Sequence, residues 1–206
     1  MSFTFIIGAI VAYLLGSIPS GLWVGQYFFK KDIRHFGSGN LGSTNAFRVL
    51  GKKAGSLVLF CDIFKGFLAM ILALTVFKQP DISPLWIASF AVIGHTFPIF
   101  ASFKGGKAVA TFAGMILAYQ PLLLLYGLII FLILLAITRM VSLTAMVTIT
   151  LGVFLSLLFN DWTLTLFVLA IDIFIIYRHR SNIQRILNGT ENKVPMPWEQ
   201  KNKDTK

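Results

Sequence analysis

Long apolar runs separated by short polar stretches dominate the chain. A membrane-crossing helix needs about 20 mostly apolar residues. Seven segments approach that pattern: 3–25, 54–76, 84–102, 107–119, 121–137, 141–159 and 162–178. The sequence therefore predicts an all-α membrane protein with seven transmembrane helices. Pro19 should kink the first span, because proline lacks an N–H and clashes with the preceding turn. The Gln120-Pro121 pair separates the fourth span from the fifth. The first 29 residues hold no Lys or Arg, so the basic start of a secretory signal is missing and the first apolar stretch is expected to stay as a span. Residues 1–188 should form a single polytopic membrane domain, and the polar stretch 189–206, with Pro195 and Pro197, a flexible cytosolic tail.

Composition supports this and narrows it. The 206 residues are 56% hydrophobic and 13% charged, with a mean hydropathy of +0.79. Soluble domains average roughly 45–50% apolar and about 25% charged, and a chain of this size has too little interior to hide the excess. An ordinary soluble globule, a disordered chain and a disulfide scaffold are excluded. The lone Cys61 lies in an apolar run and leaves no disulfide framework or cysteine metal site.

The net charge is +10. In a soluble protein that would suggest nucleic acid, but no soluble basic domain exists here to bind it. The basic residues alternate between loops instead. The loop 26–53 carries Lys30, Lys31, Arg34, Arg48, Lys52 and Lys53; the third loop carries Lys104 and Lys107, the fifth Arg139, and the C-terminal stretch Arg178, Arg180, Arg185, Lys193, Lys201, Lys203 and Lys206. The even loops hold only Lys78 beside Asp81, no charge at all, and Asp161. Positive charge favours the cytosolic face, so the N-terminus is expected outside and the C-terminus in the cytosol.

The residues capable of chemistry collect on that inner side in three clusters. The first is Gly37-Ser38-Gly39-Asn40-Leu41-Gly42-Ser43-Thr44-Asn45-Ala46-Phe47-Arg48. Its glycines let backbone N–H groups approach a ligand, Ser43 or Thr44 should cap a short helix, and Arg48 follows one turn on, which together suit a phosphate. The second is Phe103-Lys104-Gly105-Gly106-Lys107-Ala108-Val109-Ala110-Thr111, a glycine pair between two lysines at the start of a span, without P-loop spacing. The third is Tyr177-Arg178-His179-Arg180-Ser181-Asn182, where flanking cations should keep His179 neutral and able to accept a proton. Each cluster also has a plainer reading: a capped flexible loop, topological anchoring, and a stop-transfer basic cap.

Other polar residues make weaker claims. Asp62 and Lys65 share a helix face three residues apart and should form an ion pair, because an isolated charge at that depth is costly. His95 is expected to be a satisfied buried histidine near a kink. Asp172 has no evident partner. Ser142, near the inner boundary, is a candidate for a phosphate oxygen. No inner-side carboxylates have metal-ligand spacing, so neither metal nor other cofactor is expected. No His is followed five residues later by Asp, and no GxSxG elbow is present.

These segments together resemble the bacterial integral-membrane glycerol-3-phosphate acyltransferases that use acyl phosphate as donor. The stretches that carry the resemblance are GSIPSG (16–21), GSGNLGSTNAFR (37–48), DIFKG (62–66), GHTFPIFASFKGGKAVAT (94–111) and YRHRSN (177–182). The resemblance implies transfer of a fatty acyl group from acyl phosphate to the 1-position of sn-glycerol 3-phosphate, giving lysophosphatidic acid in the first step of phospholipid synthesis. It implies a multi-pass protein of the bacterial cell membrane with a cytosol-facing site, and a functional link to the enzyme that makes the acyl phosphate. Arg48, Lys107 and His179 would then act in catalysis. Ser38, Asn40, Thr44, Asn45, Lys104, Gly105, Gly106, Ser142 and Asn182 would bind substrate. Holding two phosphates side by side is a like-charge problem that calls for several cations and oriented N–H groups, which the clusters supply. Two other classes remain. A transporter for a phosphorylated anion would need matching polar groups on the outer side, where the fourth loop is uncharged. A non-catalytic lipid-binding scaffold would leave the doubled glycine-basic loops without a reason.

Overall fold

The computed structural model describes residues 3–195, and among them the fold is wholly helical. Ten α-helices follow one another: α1 (Phe3–Gly16), α2 (Ser20–Phe29), α3 (Ser43–Leu50), α4 (Lys52–Thr75), α5 (Pro84–Thr96), α6 (Val109–Tyr119), α7 (Pro121–Thr138), α8 (Val141–Ser156), α9 (Trp162–Arg178) and α10 (Arg180–Leu187). Every apolar segment expected to span is helical over most of its length. Five stretches are long and apolar enough to cross a bilayer: Phe3–Phe29, Lys52–Thr75, Pro84–Ala101, Pro121–Thr138 and Val141–Phe159. A sixth is obtained if α9 and α10, bent by 60°, count together. Helix α6 is only 11 residues long, about 16 Å at 1.5 Å per residue. Seven full-length spans are therefore not what the helices themselves provide.

The first span also differs from a simple kink. Pro19 cannot donate to the helical ladder, and residues 17–19 leave it, so the segment is two helices that run on to Phe29.

The chain divides into two compact units, with the boundary at Leu124–Leu125 inside α7. In the first unit, α4 is the central post, packed against α1, α3, α5 and α6, while α1 also lies along α5. Lipid offers helices no hydrophobic reason to associate, so close backbone approach carries the load. A Cβ on Gly66 would strike the Thr111 carbonyl and one on Gly114 the Ile63 carbonyl, which sets the α4–α6 contact. Gly16 and Gly94 do the same between α1 and α5, against backbone atoms of Ala91 and Tyr13. Helix α5 starts cleanly, with Pro84 in its first turn and the Ser83 hydroxyl accepting from the Leu85 N–H.

In the second unit α8 packs on α9, and α10 folds against both. Asp161 caps α9 by accepting from Leu164 N–H at 2.9 Å. The Thr150 hydroxyl sits 3.1 Å from both oxygens of Asp172, supplying the partner that the sequence did not reveal. Beyond α10 the chain does not simply trail away: Val194 N–H reaches the Arg139 carbonyl at 2.7 Å, and the Glu191 side chain is only 6% exposed. The rest of the expected tail, residues 196–206 with Lys201, Lys203 and Lys206, lies outside the described residues.

Candidate active site

The first cluster is a loop shaped by one asparagine. The buried Asn45 side chain, on α3, donates to the Ile33 and Phe36 carbonyls at 3.1 Å each and accepts from Ser38 N–H at 2.9 Å. All of these bonds go to the loop, so Asn45 shapes the peptide that presents Ser38. Gly37 and Gly39 adopt left-handed φ values of 61° and 70° inside it, which a residue with a Cβ enters only at a cost. Asp32 and Arg34 clamp the loop entrance at 2.6 Å. The Arg34 hydrogen bond holds the Asp32 carboxyl below the usual range, outweighing its partial burial, and raises the guanidinium in turn.

Asn40 accepts from Gly42 N–H at 2.8 Å and turns the chain into α3. Neither Ser43 nor Thr44 caps that helix, contrary to the sequence expectation. Gly42 holds the cap position and no side chain bonds to the first turn. A serine or threonine marks a helix start to within a residue, and here Ser43 is the first helical residue rather than the one before it. The consequence is an α3 N-terminus without a side-chain cap, the arrangement that favours an anion. Ser38, Thr44 and Arg48 are all exposed around it and Asn40 is half-buried. Thr44 and Arg48 stand four apart and therefore share a face of α3.

The second cluster is a strained turn. Ser102, Phe103 and Ala108 all take left-handed φ values, between 53° and 60°. Such residues cost on the order of 1–3 kcal/mol each and persist only where the surroundings impose them. The glycine pair of the turn is anchored on the C-terminal end of α5. Gly106 N–H donates to the His95 carbonyl at 3.0 Å. A Cβ on Gly105 would collide with the His95 and Thr96 carbonyls, and one on Gly106 with the His95 ring. The glycine pair is thus required by packing against His95, a reason the sequence did not disclose. Lys104 is exposed and Lys107 half-buried on either side of the pair.

A small cleft brings these loops together within the first unit. Its walls come from the α1–α2 break at Ile18, Pro19 and Ser20, from Leu41 of the first loop, from Asp62 and Lys65 on α4, from His95 and Pro98, and from Gly105 and Gly106. Asp62 and Lys65 pair at 2.8 Å, as their spacing suggested. Around that pair stand Ser20, whose hydroxyl donates to Asp62 at 3.0 Å, and the Ile18 carbonyl, 2.9 Å from the Lys65 ammonium. His95 is buried, with Nδ1 3.1 Å from the Thr111 hydroxyl and 3.6 Å from Asp62.

In the second unit, Ser142 and Asn182 meet through a residue that sequence reasoning missed. The Ser142 hydroxyl and the Asn182 amide each donate to one oxygen of Glu191 at 2.7 Å, and Arg185 Nε donates to the other at 2.8 Å. Burial would raise this carboxyl, but the three hydrogen bonds and the Arg185 charge hold it below the usual range. A lone acid in a polar, aperiodic stretch carries no signal of such a role. His179 is 3% exposed, and its Nδ1 lies 2.8 Å from the Ile175 carbonyl. A carbonyl only accepts, so Nδ1 carries the proton, and in the neutral ring Nε2 is the basic nitrogen. Arg180 turns onto the Tyr177 ring, 4.9 Å from its centroid. Among the described residues, no group of three His, Cys, Asp or Glu side chains gathers as a metal site.

The sequence matches the family model described as glycerol-3-phosphate acyltransferase over residues 6–189. Among curated relatives, the glycerol-3-phosphate acyltransferase of Listeria welshimeri is 52% identical over 94% of this chain and 98% of its own length. That of Enterococcus faecalis is 54% identical over 90% of this chain and 89% of its own. Two solved structures are similar, both of PlsY (YgiH), an integral membrane glycerol 3-phosphate acyltransferase. Its glycerol 3-phosphate form gives a TM-score of 0.87 and its lysophosphatidic acid form 0.83, each at 36% identity and over 93% of this chain. The alignments cover 96% and 95% of those chains.

Proposed function

The chain belongs to the glycerol-3-phosphate acyltransferase family, and on that footing we propose that it transfers a fatty acyl group from acyl phosphate to the 1-hydroxyl of sn-glycerol 3-phosphate. The products are lysophosphatidic acid and inorganic phosphate. The observation that carries this reading is the cleft of the first unit, where the glycine turn of the second loop meets the first loop beside buried polar groups. The solved relatives with glycerol 3-phosphate and with lysophosphatidic acid support the same acceptor and product.

The acceptor hydroxyl attacks the acyl carbonyl carbon. A new carbon–oxygen ester bond forms, the carbonyl-to-phosphate bond breaks, and phosphate leaves with the electron pair. Its oxygen takes the hydroxyl proton, so no strong protein base is needed, and His179 is the second choice for that task. The α3 N-terminus, Ser38, Asn40, Thr44 and Arg48 hold one phosphate, and Lys104, Gly105, Gly106 and Lys107 the other, with Asn45 fixing the loop. Ser142, His179 and Asn182 are assigned to the same reaction from the family motif. Alignment of hydroxyl and carbonyl lowers the barrier, and the cations and oriented N–H groups stabilise the charge that develops on the phosphates. The site faces the cytosol of a bacterial cell, the side rich in Lys and Arg, with the N-terminus outside.

Purified protein given acyl phosphate and radiolabelled glycerol 3-phosphate should yield a lipid-extractable product, and acyl-CoA should yield none. Turnover with acyl-CoA alone would overturn the donor assignment. A phosphorylated-anion transporter would give uptake in vesicles and no product.

A further inference from the structure

The first span is broken where the cleft opens, and a pair of opposite charges bridges the break. Lys65 reaches the Ile18 carbonyl, at the end of α1 where the helix dipole is negative. Asp62 accepts from Ser20, the first residue of α2 where the dipole is positive. Both charges come from one face of α4 and are almost fully buried, at 1% and 4% exposure. The same carboxylate lies 3.6 Å from His95, whose ring buttresses Gly106 and whose carbonyl binds the Gly106 N–H. Thr111, on α6, meets the same ring nitrogen, Nδ1, at 3.1 Å, while Gly106 packs at the Nε2 edge. One network therefore touches both walls of the cleft.

We infer that Asp62, Lys65 and His95 are positioning residues for the transfer: they fix the α1–α2 break and the Gly105-Gly106 turn relative to each other, so that one substrate is held at the right height against the other. This rests on the acyltransfer reading above. None of the three needs to touch a reacting atom. The pair joins two walls that no backbone ladder connects, and the turn it steadies is strained at Ser102, Phe103 and Ala108.

The test separates positioning from plain stability. Asp62→Asn alone leaves a buried ammonium without its counter-charge and is expected to misfold. The double variant Asp62→Asn with Lys65→Met removes both charges, and removing both partners of a buried ion pair is often neutral for stability. In detergent it should melt near the wild-type temperature. Its KM for one of the two substrates should rise by about tenfold, the effect of one misdirected hydrogen bond, while the KM for the other stays put. Thr111→Val, which keeps both charges and the side-chain shape, should shift the same KM in the same direction. If either folded variant shows wild-type kinetics for both substrates, the network is structural only and the inference falls. Absence of wild-type turnover with acyl phosphate would instead overturn the reading on which it rests.

Discussion

A methyl group added at Gly106 provides a sharp probe of the cleft. In Gly106→Ala the new Cβ would meet the His95 ring, with Nε2 as the nearest atom and Cδ2 and Cε1 at 3.0 and 3.1 Å. The ring has little freedom to retreat, being buried and bonded to Thr111. Overpacking of this kind costs about 1–3 kcal/mol, and breaking the Thr111 contact adds about 0.5–1.5 kcal/mol. If the ring holds its place, the turn must lift away instead and lose the Gly106 bond to the His95 carbonyl. Either way about 1.5–4.5 kcal/mol of strain falls on the folded turn and should show in the melting curve, and a turn displaced by about 1 Å should lower kcat/KM by up to about 100-fold. Gly105→Ala should be worse, because its Cβ meets two backbone carbonyls that cannot swing aside. Gly152→Ala is the control: it has open space around it in α8, and alanine favours a helix by up to about 1 kcal/mol. The assay is steady-state turnover of acyl phosphate and glycerol 3-phosphate, with a melting curve on each variant. Wild-type kinetics in Gly106→Ala would refute the claim that this turn is fixed by His95.

Other consequences can be measured directly. Arg48→Ala should lose at least about 100-fold in kcat/KM, as expected for a charged phosphate ligand, while the protein still inserts and melts normally; full activity would remove the first loop from the site. Glu191 has a lowered carboxyl pKa, so its bonds stabilise the fold above the ordinary value of about 4.3, and that stability is lost as pH falls through the folded value. The melting temperature of wild type should therefore fall more steeply below about pH 5 than that of Glu191→Gln, and parallel curves would count against the Glu191 knot. Chelation of divalent ions by EDTA should leave the rate unchanged, and inhibition would overturn the expectation that no metal takes part.

The helices were legible in the sequence because a bilayer leaves the backbone only helices or closed barrels, and continuous apolar runs of about 20 residues fit the helix. A disturbance at Pro19, expected as a kink and found as a full break, and the Asp62–Lys65 pair were legible for local reasons, a missing N–H and a three-residue spacing. The details that followed from long-range packing were not. Nothing near His95 in sequence announces Thr111, sixteen residues away, as its partner. Nothing in Gly105-Gly106 distinguishes a turn opened for a ligand from one pressed against a histidine ring. Ser43 looked like a cap because its chemistry fits, and only the backbone decides which residue stands outside the helix. Glu191 was hidden in a polar segment whose fold depends on Ser142, 49 residues earlier.

The chain emerges from the ribosome in order, and this matters for the charges on α4. When that segment reaches the membrane, an unaccompanied carboxylate or ammonium at mid-depth would add about 2.5–3.5 kcal/mol to the insertion cost. Asp62 and Lys65 arrive already neutralising each other, and the loose ends of the first span are there to receive them. His95 and the glycine turn follow later in the chain, after the groups on α4 and at the α1–α2 break that they meet in the cleft. The order of the chain thus lets the buried pair be compensated before the segment that completes the cleft is made.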